Sequence, residues 1–135
     1  MKKSACKIGG ALYVVWGLLH VMAAYKVYAL SSAVPDAAHA ARIAQAGWNL
    51  GLIALFAIAI GAKFNWRNDR LGYWLNLYVV SLTDIGFIWL VLLPGYFPLG
   101  PGLVGPALWL LAVFFSTLGR LQADTGVTAS PAQHA

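Results

Sequence analysis

The sequence predicts an all-α integral membrane four-helix bundle, with both chain ends on one, cytoplasmic side. Three observations carry this reading. Of 135 residues, 61% are hydrophobic and only 10% charged, and mean hydropathy is +0.73; a soluble domain averages about 45–50% apolar and about 25% charged. The apolar residues gather into four runs, each near the roughly 20 residues that cross a hydrocarbon core. The charges sit at the ends of those runs, as topology signals do.

The first span covers residues 8–30, after the basic opening Met1-Lys2-Lys3. "MKKSACKIGG" resembles the start of a signal peptide, and "SSAVPDA" a cleavage site. The run is longer than the about 7–15 residues of a signal core, however, and carries Trp16, His20 and Tyr25, so it reads as a retained span. "SSAVPDAAHAAR" follows as a polar, alanine-rich loop, with a short interfacial helix expected from Asp36. The second span covers 43–62, and "KFNWRNDR" is a charged loop. The third covers 71–93 and is ended by Pro94; "GYFPLGPGLVG" is an uncharged turn region. The fourth covers 103–121. Residues 1–122 form a single transmembrane domain, and 123–135 a small, polar tail expected to be disordered. The runs lack the alternation of an outer-membrane barrel, and backbone groups in lipid must bond within their own segment, so all four are helices.

Lysine and arginine set the orientation. Lys2, Lys3, Lys7, Lys63, Arg67, Arg70 and Arg120 fall on one side, and only Lys26 and Arg42 on the other. The bias places the termini and the 63–70 loop in the cytoplasm of a bacterial-type inner membrane. The net charge of +5 does not indicate nucleic acid, because no basic stripe interleaved with aromatics lies outside the spans. Cys6 is the single cysteine, so no intrachain disulfide forms.

Polar groups inside the spans mark a candidate site. Asp84 is the one acidic residue within an apolar run. A carboxylate near the bilayer centre costs at least about 2.5–3.5 kcal/mol, so it should face the bundle with a partner. His20 lies ten residues before Leu30 and Asp84 ten before Pro94, which puts both ~15 Å below the same boundary. A direct His20–Asp84 contact is the expectation; separate satisfaction of each group by carbonyls or waters is the alternative. Tyr73, Asn76, Thr83, Asp84 and Phe87 share one arc of the third helix. Tyr13, Trp16 and His20 form a stripe on the first. Asn49 lies in the second span ~9–10 Å below its outer end, with Gln45 one turn further out. Trp66, Trp74, Tyr28 and Tyr96 read as interfacial belt residues. "GWNLG", 47–51, is a GxxxG that invites a close helix neighbour, from this chain or from a second protomer of a homo-oligomer.

No metal-ligand spacing connects His20, His39, His134 and Cys6, so no metal site is expected. Phosphate loops, nucleophile elbows and HExxH are missing too. The cofactor stays unknown: a heme needs only one axial histidine, which His20 could supply from mid-span or His39 from the outer interface, whereas a two-histidine carrier lacks a paired histidine at matching depth.

"AGWNLG", "LGYWLNLYVVSLTDIGF" and "GYFPLGPGLVGPALWLLA", in that order over residues 41–118, resemble styrene oxide isomerase. That family is a small four-helix membrane isomerase that forms trimers with heme b. The resemblance implies the same fold and makes Asn49 the counterpart of the family's active-site asparagine. The family's heme histidine has no counterpart, Gln45 being nearest, and its catalytic tyrosine would fall at Ile88. Its aspartate does not align with Asp84. The chain also resembles small uncharacterised four-helix bacterial membrane proteins with a histidine in mid-span.

The leading expectation is binding or isomerisation of an apolar small molecule at a buried polar site. His20 is the acid/base, Asp84 orients or stabilises it, and Asn49 donates a hydrogen bond. Tyr13, Trp16, Tyr73, Asn76, Thr83 and Phe87 line the site. The alternative is an accessory, non-catalytic subunit of a membrane complex, and a proton relay comes third.

Overall fold

The structure, a computed structural model, describes the backbone of residues 2–128 and the side chains of residues 4–123. Four of its helical segments are long and apolar enough to cross a membrane: Ser4–Ala33, Ala37–Arg67, Arg70–Leu92 and Leu99–Ala123. The elements are α1 (Lys2–Leu30), α2 (Ala37–Lys63), α3 (Arg70–Phe87), a short α4 (Leu99–Gly102) and α5 (Val104–Thr128). No strand occurs among the described residues.

Local chemistry sets the boundaries. Asp36 accepts a hydrogen bond from the His39 backbone N–H at 2.8 Å, which satisfies an orphan donor of the first turn. With that cap, α2 starts at Ala37 as one continuous helix, well before the apolar run and with no separate interfacial helix. Asp69 caps α3 in the same way through the Gly72 N–H, at 3.0 Å. Just before it, Asn68 takes the left-handed conformation (φ 58°) that turns the chain between α2 and α3. Asn68 donates to the Gly119 carbonyl (3.0 Å), and Arg120 donates to the Asn68 carbonyl (3.1 Å), so this turn is fastened to α5. Beyond Phe87, α3 widens into a π-turn over Ile88–Leu92 before Pro94 ends it. The last helix runs to Thr128, past the expected end of the fourth span; residues 129–135 of the expected tail lie outside the described residues.

The four long helices form an antiparallel ring in the order α1, α2, α3, α5. Helix α1 packs closely along both α2 and α5, whereas α3 touches its neighbours more loosely and lies diagonally from α1. Small residues explain the close contacts. On α1, Gly10, Gly17 and Ala24 recur every seven residues, and so do Gly47, Ala54 and Gly61 on α2. A Cβ at Gly10 would sit 2.9 Å from the Gly61 carbonyl oxygen, one at Gly17 2.8 Å from that of Ala54, and one at Gly47 2.9 Å from that of Ala24. These three pairs form one antiparallel seam that a side chain would force apart. A second seam joins α1 to α5, where Gly119 faces Cys6, Gly9 faces Ser116 and Gly105 faces His20.

No such seam reaches α3. The wider gap is filled by side chains: Tyr13 and Trp16 of α1 meet Ala57, Val80 and Ala112 in a fully buried core. Outside this core the helices carry exposed apolar residues all round, with Leu18, Leu55, Leu82 and Phe114 each more than half exposed.

Candidate functional site

The interior holds two polar clusters on either side of the Ala57–Val80–Ala112 belt. The one farther from the chain termini starts with His20. Its Nδ1 lies 2.8 Å from the carbonyl oxygen of Trp16, one turn earlier. A carbonyl only accepts, so Nδ1 carries the proton and donates it, leaving Nε2 with a free lone pair when the ring is neutral. The imidazole stacks on the Trp16 indole, with centroids 3.7 Å apart and an interplanar angle of 21°. Trp16 in turn donates from Nε1 to Asp84 Oδ2 at 2.7 Å. Asp84 is fully buried, and its Oδ1 has no hydrogen-bond partner.

Gly105 completes this site from α5. A Cβ there would lie 3.0 Å from His20 Cε1, 3.4 Å from His20 Nε2 and 3.5 Å from Asp84 Oδ1. Two acceptors from two helices thus converge on the bare backbone of a third. His20 and Asp84 share a depth, as expected, but they do not form a hydrogen bond or an ion pair; Trp16 stands between them. The cause is the ring order. With α1 and α3 on a diagonal, the long indole crosses the gap that an imidazole does not span.

The cluster nearer the termini is neutral. Asn76 donates to the Ala57 carbonyl (3.3 Å), and its amide lies 3.1 Å from that of Asn65 in the α2–α3 turn. With its nitrogen turned to the Ile60 and Gly72 carbonyls, at 3.2 Å each, Asn65 ties this turn to both flanking helices. The hydroxyls of Tyr73 and Thr117 bond at 3.0 Å between α3 and α5. Tyr13 is buried here with its hydroxyl unpartnered, as is the Ser116 hydroxyl against Gly9.

The remaining expected site residues lie elsewhere. Thr83 donates to the Val79 carbonyl of its own helix at 2.8 Å and does not join the site. Phe87 packs edge-on against Phe97, centroids 6.2 Å apart, toward the α3–α5 connection. Asn49 is exposed on the outer face of α2, so the expectation that it converges with His20 and Asp84 is corrected. Gly47, on the opposite side of α2, is what meets α1, and that turns Asn49 outward.

Neither histidine fits a heme. The α5 backbone at Gly105 closes over His20 Nε2, and His20 Nδ1 is held by a carbonyl. His39 is exposed, with Nδ1 2.6 Å from Asp36 in the α2 cap. Hydrogen bonds from the His39 backbone N–H and ring hold the Asp36 carboxyl below its ordinary range. Among the described residues, no three of His, Cys, Asp and Glu gather to hold a metal ion.

Gly105, Asn65 and Ser116 were not singled out in the sequence. The signal for Gly105 was its place in "GLVGP", where glycine precedes the proline of a helix's first turn. No family model, curated protein or solved structure matches the chain.

Proposed function

We propose that this chain is a polytopic protein of a bacterial-type inner membrane, with both termini in the cytoplasm, that binds an apolar small molecule at the His20–Trp16–Asp84–Gly105 site and converts it by acid–base chemistry. One observation carries the reading: Asp84 Oδ1, buried and without a hydrogen-bond partner, and His20 Nε2, to which no described group hydrogen-bonds, face one stretch of side-chain-free backbone. Unpaired buried acceptors cost stability and are a recurrent mark of a working site. In this reading Nε2 takes a proton from the bound molecule and returns it to a second atom, which makes the reaction an isomerisation. Asp84, aimed by the Trp16 N–H, stabilises the transient imidazolium. Asn49 has no part in this chemistry. Because a Cβ at Gly105 would already crowd His20, a lipid-soluble molecule reaches the site in this reading only as the loosely packed α3, with its π-turn just beyond Asp84, moves away from α5.

The test is native mass spectrometry of the protein released from mild detergent, for the wild type, His20→Ala and Asp84→Asn. The expected result is an added small-molecule mass on the wild type that both variants lose while their helical circular dichroism is unchanged. Bare wild-type polypeptide, with both variants equally destabilised, would establish the alternative of an accessory subunit. In that role the Trp16–Asp84 bond across the diagonal would serve only to fix helix register.

A further inference from the structure

The outer face of α2 carries a polar group that nothing in the described chain satisfies. Asn49 is exposed and makes no hydrogen bond to any described residue. It lies twelve residues after Ala37 and fourteen before Lys63, so ~18 Å and ~21 Å separate it from the helix ends. In a membrane-spanning α2 that is hydrocarbon depth, where lipid tails offer an amide no partner. Around it the face is apolar: Trp48, Leu52 and Leu55 are 64%, 51% and 57% exposed.

We infer that this face binds a second copy of the same chain, through a seam of Gln45, Asn49, Leu52, Phe56 and Ala59. The inference rests on the membrane placement proposed above, though not on the chemistry of the buried site. Spacings of four, three, four and three residues give the seam the 3.5-residue repeat of a left-handed helix pair. Of these side chains Phe56 is half-buried and the other four exposed.

Symmetry chooses the occupant. Copies inserted with the same topology are related by an axis along the membrane normal, so their α2 helices run parallel. Every residue then meets its own depth in the partner. An asparagine amide both donates and accepts, so Asn49 of one copy satisfies Asn49 of the other. A different protein would need a polar group at that one depth; a second copy has it by construction. Above Asn49, Gln45 accepts from Arg42 at 3.1 Å, which keeps the cation at the helix end and out of the seam. A single asparagine in an otherwise apolar seam also sets register, because any slip leaves two amides unpaired.

The test is carried out in native membranes. Leu52→Cys and, as a control on the exposed outer face of α5, Leu110→Cys are oxidised with copper phenanthroline, beside the unmodified chain carrying only the buried Cys6. Self-association is then measured for wild type, Asn49→Val and Asn49→Gln in detergent dilution. The expected result is a cross-linked pair for Leu52→Cys alone. Asn49→Val should need roughly tenfold more protein to associate, and Asn49→Gln should restore most of the difference. A monomeric wild type, cross-linking at Leu110→Cys instead, or association indifferent to Asn49→Val would each overturn the inference. Alkaline carbonate extraction separates the two failures: a chain released from the membrane refutes the placement itself, whereas a retained but monomeric chain refutes only this surface.

Discussion

The two polar clusters inside this bundle are built on opposite plans. The one nearer the termini uses amides and hydroxyls, and several of its bonds end on backbone carbonyls: Asn76 on Ala57, and Asn65 on Ile60 and Gly72. Such bonds tie one element to another. The cluster beyond the apolar belt uses a carboxyl, an imidazole and an indole, and its one bond between helices runs from side chain to side chain. It leaves Asp84 Oδ1 and His20 Nε2 facing Gly105. Both clusters hold buried oxygens without a partner, those of Tyr13, Asn76 and Ser116 in the first and Asp84 Oδ1 in the second; the contrast lies in chemistry, for only the second brings together a carboxyl and an imidazole, whose ordinary pKa values lie below about 7, whereas amides do not titrate.

Exchanging the chemistry of the two clusters tests the contrast most severely. Asn76→Asp sets a carboxyl against the Ala57 carbonyl with no cation beside it and only the neutral Asn65 amide in reach, and should cost about 3–5 kcal/mol of stability, as a buried charge without a counter-charge does. Thermal unfolding in mild detergent, followed by circular dichroism, measures this; a loss below about 1 kcal/mol would show that the neutral cluster tolerates charge and would erase the distinction. Trp16→Phe keeps most of the ring and removes the N–H, leaving both Asp84 oxygens unpartnered. The expected loss is roughly 1–3 kcal/mol. Adding Asp84→Leu should recover part of it, and the non-additivity reports the bond itself. The converse exchange, Asp84→Asn, preserves shape and an acceptor for Trp16, and its expected effect is between zero and about 1 kcal/mol of stabilisation, together with loss of the small-molecule mass. Destabilisation comparable to that of Trp16→Phe would assign the far cluster to assembly as well.

The smallest effect belongs outside both clusters. The carboxyl of Asp36 is held below its ordinary range by the His39 backbone and side-chain bonds. A depressed carboxyl contributes its stability at pH values above the unfolded carboxylate pKa, and that contribution is lost as pH falls through the lower folded value. Asp36→Asn, which still caps, should therefore lose a small part of the stability at neutral pH, flatten the acid limb of the unfolding curve below about pH 4, and draw level with the wild type at its acid end. An identical acid limb in the two proteins would remove the cap from the account.

Much of this architecture was legible in the sequence, for physical reasons that can be named. Runs of apolar residues with Lys and Arg at their ends have few alternatives to spanning helices, and the matched depth of His20 and Asp84 followed from the helical rise alone. Rotation about each helix axis was not legible. Asn49 looked inward by composition, yet the seven-residue spacing of Gly47, Ala54 and Gly61 turns the opposite side of α2 toward α1. That spacing was present in the sequence, but two seams of small residues become informative only as a pair, once antiparallel register aligns Gly17 with Ala54. Trp16 reads from the sequence as site lining because it shares a helical stripe with Tyr13 and His20. Its role as the bridge depends on α1 and α3 being diagonal, which no local pattern records. Gly105 was hidden for a related reason: an absent side chain has no signature except through what it faces.

The seam between α1 and α2 bears on the order in which the protein is made. Translation makes α1 and then α2, and their small-residue faces need nothing from later segments to close. The pair presents Trp16 with its N–H directed to the place of Asp84 on α3. The fully buried carboxyl of the chain thus belongs to a helix made after the one that carries its hydrogen-bond donor.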